Sequence, residues 1–428
     1  MSLIILKNAR LFDPATGYDQ KGSLVIRNGL IEALGPDITQ KNIPVGADVI
    51  DCKGHLLAPG LVDMRVFTGE PGAEHRETLA TASHAAAAGG VTTVIVMPNT
   101  HPVIDDVAIV DYIERRARDT AIVHVHPMAA LTKGLQGEEM TEIGLLREAG
   151  AVAFTDGVKS VANSLVMRRA LSYAASFGAL IVQHAEDPHL SRGVMNESEL
   201  ASRLGLAGIP SMAETIMIER DLRLLEATGG RLHIAQISCA ASVDIIARAK
   251  KNGLQVTCGV SAAHLQLNEN DVGPYRTFFK LSPPLRSEVD RRALVAGLAN
   301  GTIDVIVSSH DPQDSEVKRR PFAEATFGAI GLETLLPVAL SLYHNGDVPL
   351  SRLLAAMTHV PADLLGLKTA RLQPGQPADL VLIDLDAPWM LDAAKLKSAS
   401  KNTNFEDRRF QGHAIRTIVG GRTVFTRG

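Results

Sequence analysis

Apolar residues along the chain follow two regimes. Over residues 1–57, short apolar runs alternate with turns. The runs at 3–6, 23–26, 30–34 and 49–50 predict β-strands. Asn28-Gly29 predicts a tight hairpin, because both residues tolerate the positive φ such a turn demands. The far end repeats the pattern. Residues 379–384 predict a strand, and the runs at 414–419 and 422–426 flank Gly420-Gly421, a second hairpin signal. Two β-rich ends around a long middle predict one small β-sandwich domain built from both termini, residues 1–57 and 371–428.

The middle, residues 58–370, alternates apolar strands with helical segments. Eight strand candidates stand at 61–67, 92–97, 121–127, 151–155, 180–184, 232–237, 255–260 and 304–308, with apolar-faced helices at 80–88 and 244–251 among those between them. Eight strand–helix repeats over roughly 300 residues predict an α/β fold of the (β/α)8 TIM-barrel type. A doubly wound sheet would alternate in the same way, but no glycine-rich phosphate fingerprint follows the first strand. In a barrel, chemistry gathers at the C-terminal ends of the strands. Those ends carry Arg65 and Phe67, Asn99, His124 and His126, Asp156, His184, Gln236, His264, and Ser309 with His310.

Composition narrows the classes. A chain of 428 residues suits one large domain and a smaller one. The net charge of -4 with no basic block gives no nucleic-acid footprint. Cys52, Cys239 and Cys258 are far apart and form no CxxC, so they read as buried packing residues in a reducing cytoplasm. The first apolar run is too short for a signal peptide, and no stretch approaches the roughly 20 apolar residues of a membrane span. A cytoplasmic protein without membrane contact is the expectation.

Several motifs run in order through the chain: GLVDM and EPG around residues 60–72, VTTVIVMPNT, AVAFTDG, VQHAEDP, HIAQIS, KLSPPLRSEVDRRAL and the tail NTNFEDRRFQGHAIRTIVGGRTV. On these the sequence resembles the dihydroorotase family, in particular its longer, type I bacterial branch within the amidohydrolase superfamily, kin to allantoinase and hydantoinase. The resemblance spans essentially the whole chain. It implies a zinc-bearing barrel plus a β-domain, and reversible cyclisation of carbamoyl aspartate to dihydroorotate in pyrimidine biosynthesis.

Residue by residue the carry-over is sparse. In the family pattern D-x-H-x-H-x-R-E-P-G the two histidines bind zinc; here Asp63, Glu70, Pro71 and Gly72 match, while Arg65 and Phe67 take the histidine positions and Gly69 the arginine position. Asp156 matches a metal-bridging carboxylate and His184 a metal histidine. Gln236 stands where the next metal histidine belongs, and Ser309 where the catalytic aspartate belongs. His310 is kept, and Gln313 replaces the second histidine of that motif. Asn99 matches a carboxylate-binding asparagine; Ser282 replaces another.

Zinc needs three or four N, O or S ligands, and only Asp156 and His184 remain of the family's set. A guanidinium at Arg65 cannot be deprotonated at working pH. No metal or other cofactor is therefore expected, and no catalytic residue. Arg65 is expected to pair with Asp156, substituting a salt bridge for the metal's charge. His264 and His310 read as polar lining, and Asn99 as a turn cap. Asp311 as a displaced carboxylate, or His124 with His126 as a new site, would be routes to a rebuilt centre; His233 falls on the opposite strand face from Gln236. The expectation is a dihydroorotase-like pseudoenzyme kept for its fold. Inactive chains of this family are known as subunits that hold aspartate transcarbamoylase in an assembly, so that partner, or a homo-oligomer, is implied. The alternative is an active dihydroorotase or related cyclic amidohydrolase with zinc in a rebuilt site. A third is a binding module holding a small anion on Asn99 and Arg65.

Overall fold

The computed structural model describes residues 3–36, 38 and 47–428. The chain opens with an antiparallel meander: β1 (Leu3–Asp13), β2 (Tyr18–Arg27) and β3 (Leu30–Gly35). Asn28 and Gly29 join the last two at φ 51 and 83, the left-handed pair that a two-residue hairpin requires. Two short strands, β4 (Asp48–Asp51) and β5 (Leu56–Pro59), then share one edge of β1 in succession, both parallel to it.

The barrel begins one residue later. β6 (Leu61–Val66), β7 (Val91–Val96) and β8 (His124–Pro127) form one parallel group. β9 (Leu180–Gln183) follows, and the loop after it carries a two-residue ribbon of β10 (Met195–Asn196) and β11 (Gly208–Ile209). The ring continues with β12 (Arg231–Ile234), β13 (Val256–Ser261) and β14 (Val305–Val307), in the order β14-β13-β12-β9. Phe154 joins the two groups by bridging Ala129 on one side and Ile181 on the other, and Val66 closes the ring on His310. All eight expected strand segments lie in the ring, the fourth reduced to the two bridges of that single residue. Every residue of β6 and β7 is buried, as suits strands covered on both faces.

Helices follow the strands. α1 (Leu79–Ala88) starts at a Thr78/Thr81 capping box, which satisfies backbone N–H groups at its first turn. The helix expected at 244–251 begins earlier, at Ala240.

The C-terminal end returns to the first sheet. β15 (Leu380–Met390) pairs antiparallel with β5, followed by β16 (Arg409–Val419) and β17 (Arg422–Thr426), giving the order β17-β16-β15-β5-β1-β2-β3. Leu6, Leu11, Leu24, Leu57, Leu380 and Ile418, from both ends, share one core. The three cysteines are buried and unpaired.

Two features tie sheet and barrel together. His124, at the N-terminal end of β8, bonds Asp379 through Nε2 at 3.0 and 3.1 Å. The idea that His124 and His126 seed a site at the mouth is thereby corrected: His124 faces the terminal sheet. The second feature is the segment between β15 and β16, which reaches back over the barrel. There Ser398 and the Ala399 amide bond the Glu77 carboxylate, Ser400 donates to the Arg76 carbonyl (2.8 Å), and Asn402 holds the Gln313 amide (3.2 Å) and the Gly328 carbonyl (3.2 Å).

Candidate functional site at the barrel mouth

β6 delivers Arg65 into the mouth. The side chain is buried, and its Nη1 donates to Ser309 Oγ at 2.8 Å. Ser309 follows β14 in a left-handed conformation, φ 53, which residues other than glycine adopt rarely and which marks a constrained turn. The turn is held from both sides. The Ser308 amide donates to Asp63, the His310 amide to Ser308 Oγ (3.0 Å), and the Phe67 amide to the His310 carbonyl (2.9 Å). Burial pushes the Asp63 carboxyl up to about 6, against the hydrogen bonds it accepts.

Phe67 organises a second group. The guanidinium carbon of Arg76 lies 4.5 Å from its ring centroid. The same guanidinium donates to Asp311 Oδ1 (2.9 Å) and to the Pro312 carbonyl (2.7 Å). Gln313 Nε2 also donates to Asp311 (2.9 Å), and Thr326 donates to Gln313 Oε1 (3.2 Å). Behind this wall two buried lysines fix the loop: Lys280 donates to the Phe322 carbonyl (2.8 Å) and Lys318 to that of Thr326 (2.7 Å). Burial pushes the Lys318 ammonium down to about 7.

On the facing side, His184 Nε2 meets Glu186 Oε2 at 2.9 Å, and Ser282 Oγ lies 3.2 Å from the same oxygen. Burial opposes ionisation of Glu186, but the His184 contact outweighs it and holds the carboxyl below its usual range. Gln236 is buried with neither side-chain atom bonded.

Asp156 does not meet Arg65. Its carboxylate accepts from the Thr132 amide (2.8 Å) and from the Thr132 hydroxyl, while Arg65 Nη1 donates to Ser309. The expected Arg65–Asp156 salt bridge is therefore wrong: a neighbouring threonine satisfies the acid, and burial raises its pKa. The Asn99 cap is also wrong, for Asn99 Oδ1 has no partner. His264 is buried, bonds Ser261 (2.7 Å) and the Pro283 carbonyl (3.0 Å), and is not among the residues lining the cavity. His310 sits 3.4 Å from Glu77 and accepts from the Gly331 amide. His233 turns to Thr257 (2.8 Å), away from Gln236. Asp311 lies beyond the end of β14 but does reach the mouth, as Arg76's partner.

Arg65, Asn99, Glu186, Ser282, Ser309 and Asp311 line a cavity of about 420 Å3 together with Arg76 and Gln313. Of the residues that the sequence places at the mouth, Arg65, Asn99 and Ser309 line this cavity, while Phe67, Asp156, His184, Gln236, His264 and His310 are not among its lining residues. The sequence reading passed over Arg76 and Glu186. Glu186 stands two residues after His184 in the HAED run, beyond the end of β9; nothing in the loop before α1 singles out Arg76. Among the described residues, no group of three His, Cys, Asp or Glu side chains is arranged to hold a metal ion.

Comparison with known proteins agrees with this frame. Residues 54–242 match the family model described as dihydro-orotase-like, and residues 341–425 match an amidohydrolase family model. The chain is 43% identical to the dihydroorotase of Anaplasma phagocytophilum over 422 residues, 98% of this chain and 94% of that one. It is 42% identical to the dihydroorotase of Pelobacter propionicus over 425 residues, 99% of this chain and all of that one. Among solved structures, the L-hydantoinase (dihydropyrimidinase) of Arthrobacter aurescens superposes with a TM-score of 0.91 at 27% identity, covering 100% of this chain and 97% of that one. The dihydropyrimidinase of Brevibacillus agri shares the fold at a TM-score of 0.86 and 21% identity, covering 99% and 95%. With two relatives above two-fifths identity along nearly its full length, and a barrel and terminal sheet of the same architecture, this chain belongs to the dihydroorotase family of amidohydrolases.

Proposed function

We propose that this chain serves pyrimidine biosynthesis as a dihydroorotase-family protein without metal-hydroxide catalysis of its own, kept as a structural partner of aspartate transcarbamoylase. One observation carries the reading: at the floor of the mouth the Arg65 guanidinium donates to Ser309. Zinc is the group the family implies, and the residues present do not fit it. Asp156 is tied to Thr132 and His184 to Glu186, while Phe67 and the amide Gln236 replace imidazoles. A permanent cation among them repels a dication. Closing or opening a cyclic amide needs an activated water and a carboxylate to shuttle its proton. Ser309 is bonded to a cation, not to a base. Gly69, at φ 71, leaves no room for a side chain, since a Cβ there would lie 2.4 Å from the Glu77 carbonyl; the position of the family's substrate arginine is closed to one, and Arg76, seven residues on, is held by Asp311. The partner follows from the family resemblance, in which catalytically silent chains hold the transcarbamoylase.

A second reading is an active dihydroorotase, and the names of the curated relatives favour it over the first. Relatives 42–43% identical along nearly the whole chain carry that name.

Assay of the purified full chain for carbamoyl aspartate cyclisation, with and without added zinc, and for bound metal, separates the two. The first reading expects no turnover and less than about a tenth of an equivalent of zinc. Zinc-dependent turnover would establish the second. Co-elution with aspartate transcarbamoylase on gel filtration tests the partner, and separate elution would remove it.

A further inference from the structure

The foot of the barrel, at the opposite end of the strands from the mouth, carries a pair of imidazoles. His124 and His126 stand at the start of β8, and residues two apart on a strand share one face. Both line a cavity of about 380 Å3 with Glu114, Arg118 and Val419. His124 commits one ring nitrogen, Nε2, to Asp379. Its side chain is 43% exposed, and Nδ1 makes no bond among the described residues. His126 makes no side-chain hydrogen bond among the described residues, and its nitrogens are not sealed from solvent, unlike Nδ1 of His184. Burial, with His124 beside it, pushes the His126 imidazole down to about 4, so it offers a lone pair at neutral pH.

The surroundings favour a cation. Asp379 backs His124 as carboxylates back metal-bound histidines, fixing the ring and making its free nitrogen the more basic. Glu114 adds a carboxylate to the lining. Arg118 is 70% exposed and turned to Asp119 at 3.0 Å, where solvent and salt screen it. Two imidazoles without a thiolate suit Cu2+ or Ni2+, with water completing the coordination, and Cu2+ binds most tightly in the divalent series. Two protein ligands are too few for a closed zinc site, so an ion here exchanges and leaves on dialysis.

We propose that Nδ1 of His124 and a ring nitrogen of His126 form an exchangeable site for a divalent copper or nickel ion at the foot of the barrel, where β8 meets the terminal sheet. The site is separate from the mouth and does not depend on whether the mouth holds zinc.

The test titrates Cu2+ and Ni2+ into the untagged full chain after chelation and dialysis. One equivalent of Cu2+ is expected to bind with release of protons and to raise the melting temperature. Electron paramagnetic resonance of the natural chain is expected to show Cu2+ coupled to two imidazole nitrogens. His126→Ala is expected to weaken binding at least about tenfold, and Asp379→Asn about tenfold. His184→Gln, at the mouth, is expected to leave it unchanged. Coupling to fewer than two imidazoles, or equal affinity in the natural chain and His126→Ala, would overturn the site. Binding lost in His184→Gln and kept in His126→Ala would put the ion at the mouth, against both this site and the zinc-free reading. Zinc-dependent turnover beside Cu2+ binding that needs His126 would remove that reading alone.

Discussion

Arg76 covers the face of Phe67 and holds Asp311 with the same guanidinium, 4.5 Å from the ring centroid and 2.9 Å from the carboxylate. Three residues from two loops, Phe67 and Arg76 after β6 and Asp311 after β14, therefore stand or fall together. Arg76→Ala removes the stacking and leaves a half-buried acid with only Gln313. A loss of about 2 kcal/mol in urea denaturation is expected. Phe67→Leu keeps the ion pair and is expected to cost about 1 kcal/mol. Equal costs for the two would show that the ring, not the ion pair, anchors the loop.

The segment between β15 and β16 works as a strap. Asn402 alone holds the backbone of Gln313 and of Gly328, on two loops of the cavity wall. Asn402→Ala is expected to speed amide exchange at residues 311–313 and 326–331 by about tenfold, while the terminal sheet keeps its protection. Unchanged exchange in those loops would mean that Lys280 and Lys318 suffice to pin them.

His124 and Asp379 join barrel and sheet with a titratable pair. The Asp379 hydrogen bond raises the His124 pKa against burial. For Asp379 burial acts first, raising its pKa, but the His124 bond and charge outweigh it and the net shift is downward. The histidine's contribution is complete below its ordinary pKa and is lost as pH rises through the raised folded value. The aspartate's is complete above its ordinary pKa and is lost as pH falls through the lowered one. The melting difference between the natural chain and His124→Asn is thus expected to be widest in mildly acidic solution and to narrow on both sides. A difference that keeps growing above pH 8 would contradict the pairing.

The donor set at the mouth can be rebuilt on purpose. Arg65→His, Phe67→His, Gln236→His and Ser309→Asp together are expected to retain about one to two equivalents of zinc after dialysis. Any one alone is expected to retain less than about a tenth. Plasma mass spectrometry of the dialysed proteins decides, and full zinc retention by a single variant would show that existing side chains complete the site.

Much of the fold was readable because burial on both faces leaves long apolar runs. The runs at β6 and β7 and the hairpin glycines at Gly29 and Gly420-Gly421 are local signals with local causes. The fourth strand shows the limit, since Phe154 alone makes its bridges and pattern cannot tell a bridge from a strand. The site was legible as a list of residues and not as a set of contacts. Arg65 meets Ser309 across 244 positions, through a left-handed turn that no spacing announces. Asp156 went to Thr132 instead, for a threonine hydroxyl and its own amide can satisfy a buried acid as well as a distant cation can. Arg76 was passed over because loop residues acquire their neighbours only when the loop folds.

The bond between Arg65 and Ser309 also couples two distant positions. An imidazole at residue 65 would leave Ser309 without its donor in a turn shaped around it, and an acid at residue 309 would turn the neutral contact into an ion pair that holds the guanidinium more tightly. The two ends of the barrel sheet, 244 positions apart in the chain, are therefore answerable to each other through one bond.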